Sequence, residues 1–191
     1  MPPLGEAAHL GVLVAHPRDQ DGELIIRHVQ RAGARVGHAW PPPADLPDGT
    51  DVVFLLVDGR GALDAHWLAG PPPAAIVAVI GRETSSIFGL LANCSPQAVI
   101  VKPADRLEIL TNLILAHNNF RYERRLLAKI SKLEETLRSI RKVEKAKAIL
   151  MRTRHIEEPE AYEYLRSQAM KKRVPITVVA AAVIDAHEVL G

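Results

Sequence analysis

Residues 143–173 read VEKAKAILMRTRHIEEPEAYEYLRSQAMKKR, and this stretch decides the fold of the C-terminal third of the chain. Small or apolar residues recur in it at helical spacing with basic residues between them, which is typical of two amphipathic helices separated by a short break. Glu157, Glu158 and Pro159 mark the start of the second helix, because acidic side chains favour the positive end of a helix and proline fits its first turn. We expect this helix to bury one apolar face, made of Ala161, Tyr162, Leu165, Ala169 and Met170.

A third helix follows this stretch. Pro175 precedes the run Ile176–Leu190, whose apolar residues again recur at helical spacing. We predict that this helix packs through Val178, Val179, Ala182, Val183 and Ala186. Residues 144–191 then form a three-helix domain, in which the opening stretch contributes to the core Ala146, Leu150, Met151, Leu165 and Met170.

No proline or glycine interrupts the chain from Asn118 to Arg154, so the first helix of this domain extends far upstream. Apolar residues recur in the extension at intervals of four, three, four and three residues, at Leu126, Ile130, Leu133, Leu137 and Ile140. This spacing indicates a coiled-coil seam within residues 118–143, and with it a homodimer. The alternative is that the seam packs against the chain's own N-terminal domain.

Residues 1–117 alternate between short apolar runs and amphipathic segments. The runs predict five strands, at Leu10–Ala15, Arg35–Trp40, Asp51–Val57, Ala75–Ile80 and Ala98–Val101. The segments predict helices at Asp19–Ala32, Ala62–Ala69, Thr84–Asn93 (capped by Thr84) and Asp105–His117. Strands that are apolar throughout are typical of a parallel sheet covered on both faces. We therefore predict an α/β domain with the flavodoxin-like, doubly wound arrangement.

Positive charge is concentrated in the C-terminal part of the chain. Residues 1–120 carry 8 basic and 12 acidic side chains, whereas residues 121–191 carry 16 basic and 10 acidic ones, within an overall net charge of +2. Such a distribution suits a polyanionic partner such as nucleic acid, although solvated lysines and arginines on a long exposed helix give the same statistic.

The number of cysteines and the hydropathy of the sequence indicate the cellular compartment of the protein. Cys94 is the only cysteine, so an internal disulfide is excluded and a reducing compartment fits. No apolar run approaches the ~20 residues of a membrane-spanning helix, and no secretory leader pattern opens the sequence. We therefore expect a cytoplasmic protein without a membrane partner.

The N-terminal pattern resembles the receiver domains of response regulators, through its alternating strands and helices and the Lys102-Pro103 pair after the fifth strand. In that family, paired acids after the first strand hold Mg²⁺, an Asp ends the third strand and accepts phosphate, and a hydroxyl residue ends the fourth. Here His16 stands where the acids belong, Leu56 stands at the acceptor position, and Asp58 lies two residues beyond it. The resemblance therefore implies a degenerate receiver that is controlled by something other than phosphorylation.

The segments AKAILM, EAYEYLRSQAM and KR, followed by an apolar final helix, resemble the ANTAR domain of bacterial antitermination regulators. Upstream, AWPPPADL followed by DVVF is similar to the amidase-type members, the AmiR and NasT class, so the resemblance extends over nearly the whole chain. It implies a dimeric protein that binds stem-loops in leader mRNA and prevents terminator hairpins from forming. In amidase-type members a ligand-sensing partner protein takes the place of phosphorylation, and no cofactor is implied.

Basic and aromatic residues of the opening stretch are the candidates for RNA contact, because cations bind phosphates, arginine also stacks and pairs, and tyrosine can stack on bases. They are Lys145, Lys147, Arg152, Tyr162, Arg166, Lys171, Lys172 and Arg173. We favour Lys147, Arg166 and Arg173, which lie inside the matched motif. Tyr164 is an alternative stacking residue, and a half-buried core position is the alternative for Tyr162.

Two other functions are open at this point. Two helices joined by a short turn can bind DNA in the manner of a helix-turn-helix, although the joint at residues 155–158 lacks the usual glycine. Catalysis is disfavoured, because the sequence has no nucleophile elbow, no phosphate-cradling glycine loop and no cluster of metal ligands. We therefore expect a regulator and not an enzyme.

Overall fold

The computed structural model describes residue 5 and residues 7–58, 65–81 and 87–190. The predicted cap Thr84 and the start of the helix predicted from Ala62 lie outside the described residues. The chain divides into two compact units, unit 1 with residues 1–124 and unit 2 with residues 125–191. The domain boundaries predicted at residues 117 and 143 both fall within one continuous helix.

Unit 1 contains a five-stranded parallel sheet. Its strands are β1 (Gly11–Ala15), β2 (Arg35–Ala39), β3 (Val52–Val57), β4 (Ala75–Ile80) and β5 (Ala98–Val101). Their order across the sheet is β2-β1-β3-β4-β5, and every neighbouring pair is parallel. This is the flavodoxin-like order, so the predicted fold class is confirmed.

Helices α1 (Gln20–Arg31), α2 (Ile87–Cys94) and the first turns of α3 (Arg106–Arg154) cover the sheet. Alternate side chains of each strand point to opposite faces of the sheet. Phe54 and its neighbours on one face form an apolar cluster with α1 and α3. Leu55 and its neighbours on the other face form a second cluster, which contains Cys94 of α2 and Trp67.

The connection between β2 and β3 contains no helix, since residues 40–51 form an irregular, proline-rich segment. Three consecutive prolines cannot enter a helix interior, because proline lacks the amide donor and fixes φ. The indole Nε1 of Trp67 donates a hydrogen bond to the Pro43 carbonyl at 3.0 Å, and the His66 amide donates to the Ala44 carbonyl at 3.2 Å. These bonds fix the segment to the 3-10 turn His66–Leu68. Of the helix predicted at Ala62–Ala69, the described residues form only this 3-10 turn.

Helix α3 continues without interruption for 49 residues. Asp105 caps its start, because the carboxylate Oδ1 accepts a hydrogen bond from the Glu108 amide at 2.8 Å. The first turns bury Ile109 and Leu113 against the sheet of unit 1. Residues 121–138 are all exposed, so this part of α3 has no apolar packing within the described part of the chain.

Unit 2 consists of the last turns of α3, helix α4 (Glu158–Lys172) and helix α5 (Ile176–Leu190). Glu157 and Glu160 form a capping box at the start of α4. Arg173 ends α4 in the left-handed conformation, with φ 55° and ψ 42°. The three helices enclose a small core, which consists of Ala146, Ile149, Leu150, Ala161, Leu165, Ala169, Val179, Ala180 and Ile184.

Two residues predicted to lie in the buried face of α4 are exposed. Met170 is 70% exposed and Tyr162 is 44% exposed. Ala161, Leu165 and Ala169 are spaced four residues apart and define the buried face. Met170 and Tyr162 each follow one of these alanines, and one residue turns a helical side chain by about 100°, which brings both toward solvent.

The packing face of α5 also differs from the prediction. The residues predicted to be buried but found exposed are Val178, Ala182 and Ala186. The buried residues are Val179, Ala180 and Ile184. Alanine and valine occur on every side of this helix, so the sequence pattern does not define which face is buried. The contacts with the neighbouring helices determine the buried face. Met151 of α3 is half-buried rather than buried.

Leu165 and Met170 offer a matched test of the observed core. We expect Leu165→Ala to lower the free energy of unfolding of unit 2 by about 2–5 kcal/mol, because it leaves a cavity among three helices. Met170→Ala should change it by less than about 0.5 kcal/mol, because that side chain is exposed. Urea unfolding of the full chain, followed by circular dichroism, measures both. Equal losses for the two variants would contradict the observed packing of α4.

Candidate nucleic-acid interface

Three exposed residues of α4, Tyr162, Arg166 and Met170, together with the exposed cap residue Arg173, form a surface that we call the α4 stripe. The first three follow one another at intervals of four residues, which keeps them on one side of the helix, and Arg173 follows at the left-handed cap that ends α4. The Arg166 guanidinium lies 3.1 Å from the Glu163 carboxylate, and both side chains are more than half exposed. Arg173 has no ion pair in the described part of the chain.

The chemistry of the α4 stripe suits an unpaired nucleic-acid base. The exposed Tyr162 ring and the planar guanidinium groups can stack on bases, and guanidinium groups also bind phosphate oxygens in pairs of hydrogen bonds. The polarisable thioether of Met170 supplies an apolar contact beside them. Lys171 and Lys172 are exposed at the end of α4 and add positive charge next to the stripe.

The structure corrects the prediction for Lys147. This side chain is buried, and its Nζ lies 2.8 Å from a Glu144 oxygen and 2.6 Å from a Glu158 oxygen. The hydrogen bonds that the Lys147 ammonium donates to Glu144 and to Glu158 raise the pKa of Lys147, and the contact with Lys147 lowers the pKa of Glu158. Lys147 therefore ties α3 to the first turn of α4, and its burial leaves it unable to contact RNA.

Lys145 and Arg152 are exposed but engaged by the last turn of α5. The Lys145 Nζ donates to the Glu188 carboxylate at 2.7 Å, and this hydrogen bond lowers the pKa of Glu188. The Arg152 guanidinium donates to Nε2 of His187. Both cations consequently help to hold α5 against α3, and an RNA phosphate would compete with α5 for them.

Arg154 is a residue that the sequence reasoning missed. Its guanidinium lies 4.1 Å from the centre of the Tyr164 ring, and its Nη2 donates a hydrogen bond to the Tyr164 hydroxyl at 3.0 Å. Tyr164 is half-buried, so it is a structural residue of the α3–α4 joint rather than a free stacking surface. Nothing in the local spacing pairs these two residues, because they lie on different helices.

The five residues of the predicted seam are exposed in the described structure. Their exposed fractions are 40% for Leu126, 51% for Ile130, 64% for Leu133, 54% for Leu137 and 52% for Ile140. An apolar row of this length on one side of a helix is an uncovered surface.

In unit 1, the carboxyl ends of the strands bring together the residues of the receiver-like site. His16 follows β1 and is fully buried, and burial lowers the pKa of its imidazole, which favours the neutral form. Its Nδ1 hydrogen bonds to the Pro17 carbonyl at 2.8 Å. Asp19 caps α1 by accepting a hydrogen bond from the Gly22 amide at 2.9 Å, so this acid has a structural role.

Lys102 follows β5 and forms an ion pair with Asp21 of α1, at 3.4 Å. Leu56, at the position of the phosphate acceptor, is buried in the apolar cluster beneath α1 and α3. Asp58 lies just beyond β3 and is half-buried. Among the described residues, no group of three or more His, Cys, Asp or Glu side chains could hold a metal ion. The residues at this site therefore do not fit the Mg²⁺ of a working receiver.

Family comparisons cover both units. The AmiR N-terminal family matches residues 10–117, more than half of the chain, and the ANTAR domain family matches residues 131–184. The chain belongs to the AmiR family and carries an ANTAR domain. The resemblance inferred from the sequence motifs is thereby confirmed.

This AmiR-family chain is similar to two bacterial regulators. The aliphatic amidase regulator of Pseudomonas aeruginosa is 30% identical over 180 residues, which cover 93% of this chain and 92% of that protein. The transcriptional regulatory protein PdtaR of Mycobacterium tuberculosis is 27% identical over 135 residues, which cover 71% of this chain and 65% of that protein. Since the matched proteins are regulators, the chain is a transcription regulator and not an enzyme.

A solved structure supports the fold of the AmiR-type N-terminal domain. The signal receiver domain of a modulated diguanylate cyclase from Desulfovibrio desulfuricans G20 matches with a TM-score of 0.50 and 17% identity. The match covers 59% of this chain and 97% of that one, and it bears on the fold alone. None of the helices in the described part of the chain has the length and hydrophobicity needed to cross a bilayer.

The receiver-like site leads to a prediction about phosphorylation. Incubation of the full chain with acetyl phosphate and Mg²⁺ should leave its mass unchanged, because Leu56 cannot accept phosphate and Lys102 is paired with Asp21. Intact-mass spectrometry measures the outcome, with a working receiver domain as the positive control. A stable gain of one phosphoryl group at Asp58 would overturn the assignment as a degenerate receiver.

Proposed function

We propose that this chain is a transcription antitermination regulator that binds stem-loops in leader mRNA through the α4 stripe of its ANTAR domain. The observation that carries the proposal is the exposed aromatic ring, guanidinium group and thioether on one side of α4, together with the exposed guanidinium of Arg173 at the end of that helix. The basic charge of the C-terminal part of the chain agrees with an RNA partner. Lys171 and Lys172 extend the positive surface.

The α4 stripe suits the loop of an RNA hairpin better than its paired stem. Bases in a stem are stacked inside an A-form helix whose deep major groove side chains cannot read, whereas loop bases are free to stack on Tyr162 or a guanidinium plane. Arg173 caps α4 beyond the last helical turn, where a phosphate can approach it from several directions. We expect the stripe to supply loop recognition and the neighbouring lysines to supply affinity for phosphates.

Binding would act on transcription by mass action. If the bound stem-loop and the terminator hairpin share nucleotides, only one of them can form at a time. A protein present at 100 times its Kd stabilises the bound stem-loop by about 2.7 kcal/mol. A bias of this size changes the ratio of two competing hairpins by roughly 100-fold, which is enough to let the polymerase pass the terminator.

We further propose that the chain acts as a homodimer through the seam at residues 126–140. The exposed apolar row and its heptad spacing support this, because an apolar row on a helix is stabilised when a second helix covers it. A dimer would present two ANTAR domains to one transcript. Simultaneous binding of two stem-loops would then raise the overall affinity through effective concentration.

Control of this regulator is proposed to come from a partner protein that senses a ligand. The buried Leu56 at the acceptor position and the absence of a Mg²⁺ site in the described residues support control by contact rather than by phosphate. The proposal also draws on the family, since the relative in P. aeruginosa is an aliphatic amidase regulator.

Selection of an RNA ligand tests the proposed function. The full chain is used to select hairpins from an RNA pool with randomised loops, and filter binding then compares the selected hairpin with a loop-scrambled hairpin and with duplex DNA. We expect Arg166→Ala with Arg173→Ala to weaken binding of the selected hairpin by at least about 10-fold. The paired control, Arg125→Ala with Lys132→Ala, removes the same charge from exposed positions of α3 outside the stripe.

Two results would contradict the proposal. Duplex DNA bound more tightly than any selected hairpin would favour the alternative of a DNA-binding regulator. Equal losses for the stripe variant and its control would remove the stripe from the binding surface, since only the general effect of charge would remain.

The dimer has its own test. Leu133→Gln with Leu137→Gln should convert a dimer into a monomer in sedimentation equilibrium, because two polar amides replace apolar side chains in the seam. Ala128→Gln, an exposed position of α3 off the seam, is the matched control and should leave the mass unchanged. A wild-type chain that sediments as a monomer at micromolar concentration would refute the proposed homodimer.

A further inference from the structure

A polar cleft lies between α3 and the first turn of α5, and it contains none of the residues of the α4 stripe. Its volume is about 390 Å³, and its walls are Ser131, Glu135, Arg138, Ser139, Lys142 and Thr177. Three of these residues carry hydroxyl groups, two are cations and one is an acid. Among the residues that the structure describes, no aromatic and no large apolar side chain lines the cleft.

The two cations of the cleft belong to a longer row on α3. Arg138, Lys142, Lys145 and Arg152 follow at intervals of four, three and seven residues, which places them on one side of the helix. From first to last the row extends about 21 Å, at about 1.5 Å per residue. It is therefore long enough to follow several consecutive phosphates of a nucleic-acid strand.

The two ends of this row differ in their partners. At the C-terminal end, Glu188 and His187 of α5 engage Lys145 and Arg152. At the N-terminal end, the Arg138 guanidinium lies 3.6 Å from Glu134, with both side chains more than 60% exposed. Lys142 has no ion pair in the described part of the chain. An exposed ion pair of this kind contributes little free energy to stability. Arg138 and Lys142, at the cleft end of the row, are therefore available to an external anion.

The cleft also stays open in the proposed dimer. When Leu133 and Ile140 are assigned to heptad position d and Leu137 to position a, the cleft residues of α3 fall at positions b, c and f. Those positions form the outer surface of a coiled coil. A second copy of the chain would consequently cover the seam and leave the cleft in contact with solvent.

We infer that this cleft binds the sugar-phosphate backbone of the same RNA whose loop contacts the α4 stripe; the inference rests on the proposed function. Ammonium, guanidinium and hydroxyl groups all donate hydrogen bonds to phosphate oxygens, and contacts of this kind position a nucleic acid without specifying its sequence. The absence of an aromatic wall assigns the cleft to the backbone rather than to bases. In this arrangement the α4 stripe recognises the bases of the RNA loop, and the cleft binds the sugar-phosphate backbone.

The test uses two matched pairs of substitutions in the full chain. Arg138→Ala with Lys142→Ala removes the cleft cations, and Arg125→Ala with Lys132→Ala removes one arginine and one lysine from exposed positions of the same helix outside the cleft. The probe is the hairpin selected by the wild-type protein. Circular dichroism melting verifies that both variants retain the helices.

The cleft variant should bind the selected hairpin about 10-fold more weakly at physiological salt, and the slope of log K against log salt should become less steep by about two. The control pair should change the affinity by less than about 3-fold, because only the long-range charge is lost. Both variants should keep the wild-type ratio of affinities for the selected and loop-scrambled hairpins, since backbone contacts carry no sequence information.

The outcomes separate the two proposals. Equal affinity losses and equal salt slopes for the cleft pair and the control pair would overturn the cleft inference, while a loss confined to the α4 stripe variant would still support RNA binding. A changed ratio between the two hairpins for the cleft variant would also overturn it, since bases would then be read there. Failure of the wild-type chain to select any hairpin would overturn the proposed function itself.

Discussion

The structure depends on one continuous helix that contributes to the cores of both units. The first turns of α3 bury Ile109 and Leu113 against the sheet, and its last turns bury Ala146 and Leu150 against α4 and α5. Between these two ends, residues 121–138 have no buried side chain within the described part of the chain. A helix in water obtains most of its stability from packing of an apolar face, so this middle section is the part most in need of another surface. The exposed seam supplies such a surface, which is why the proposed dimer follows from the requirements of α3 itself.

The receiver-like unit keeps the architecture of its fold while its chemistry has changed. Parallel strands still deliver their carboxyl ends to one edge of the sheet, where His16, Leu56 and Lys102 meet α1. The imidazole of His16 and the isobutyl group of Leu56 do not supply the carboxylate oxygens that Mg²⁺ prefers, and Lys102 is paired with a carboxylate on α1. The packing of the unit is retained because it depends on apolar strands and not on the acids. A fold of this kind can therefore remain as a surface for contact with other molecules after the phosphorylation site is lost.

Charged residues in unit 2 divide into those that hold the helices together and those that face solvent. Lys147 links α3 to the start of α4 through two carboxylates, and Lys145 and Arg152 link α3 to the end of α5. These contacts surround an apolar core of four alanines, two isoleucines, two leucines and one valine, and the small alanine side chains allow the helices to approach closely. The cations of the α4 stripe and of the cleft beside α5 take no part in these contacts between helices, and they are exposed to solvent. The distinction explains why net charge alone could not identify the proposed binding surface.

The sequence by itself determined the approximate spans of the five strands and of the long helices, the order of the two domains, the apolar row at residues 126–140, and the presence of Leu56 at the acceptor position. These properties follow from local spacing, because the periods of a strand and a helix and the breaks at proline and glycine are set by neighbouring residues. The tertiary structure alone decided that Met170 is exposed, that Lys147 is buried, and that Arg154 stacks on Tyr164. It also decided which side of α5 packs, since alanine and valine occur all around that helix. The physical reason is that the burial of a side chain, and the partner of a charge, depend on elements that another part of the chain supplies. Glu188 lies 43 positions from the Lys145 that it binds, and no local pattern connects them.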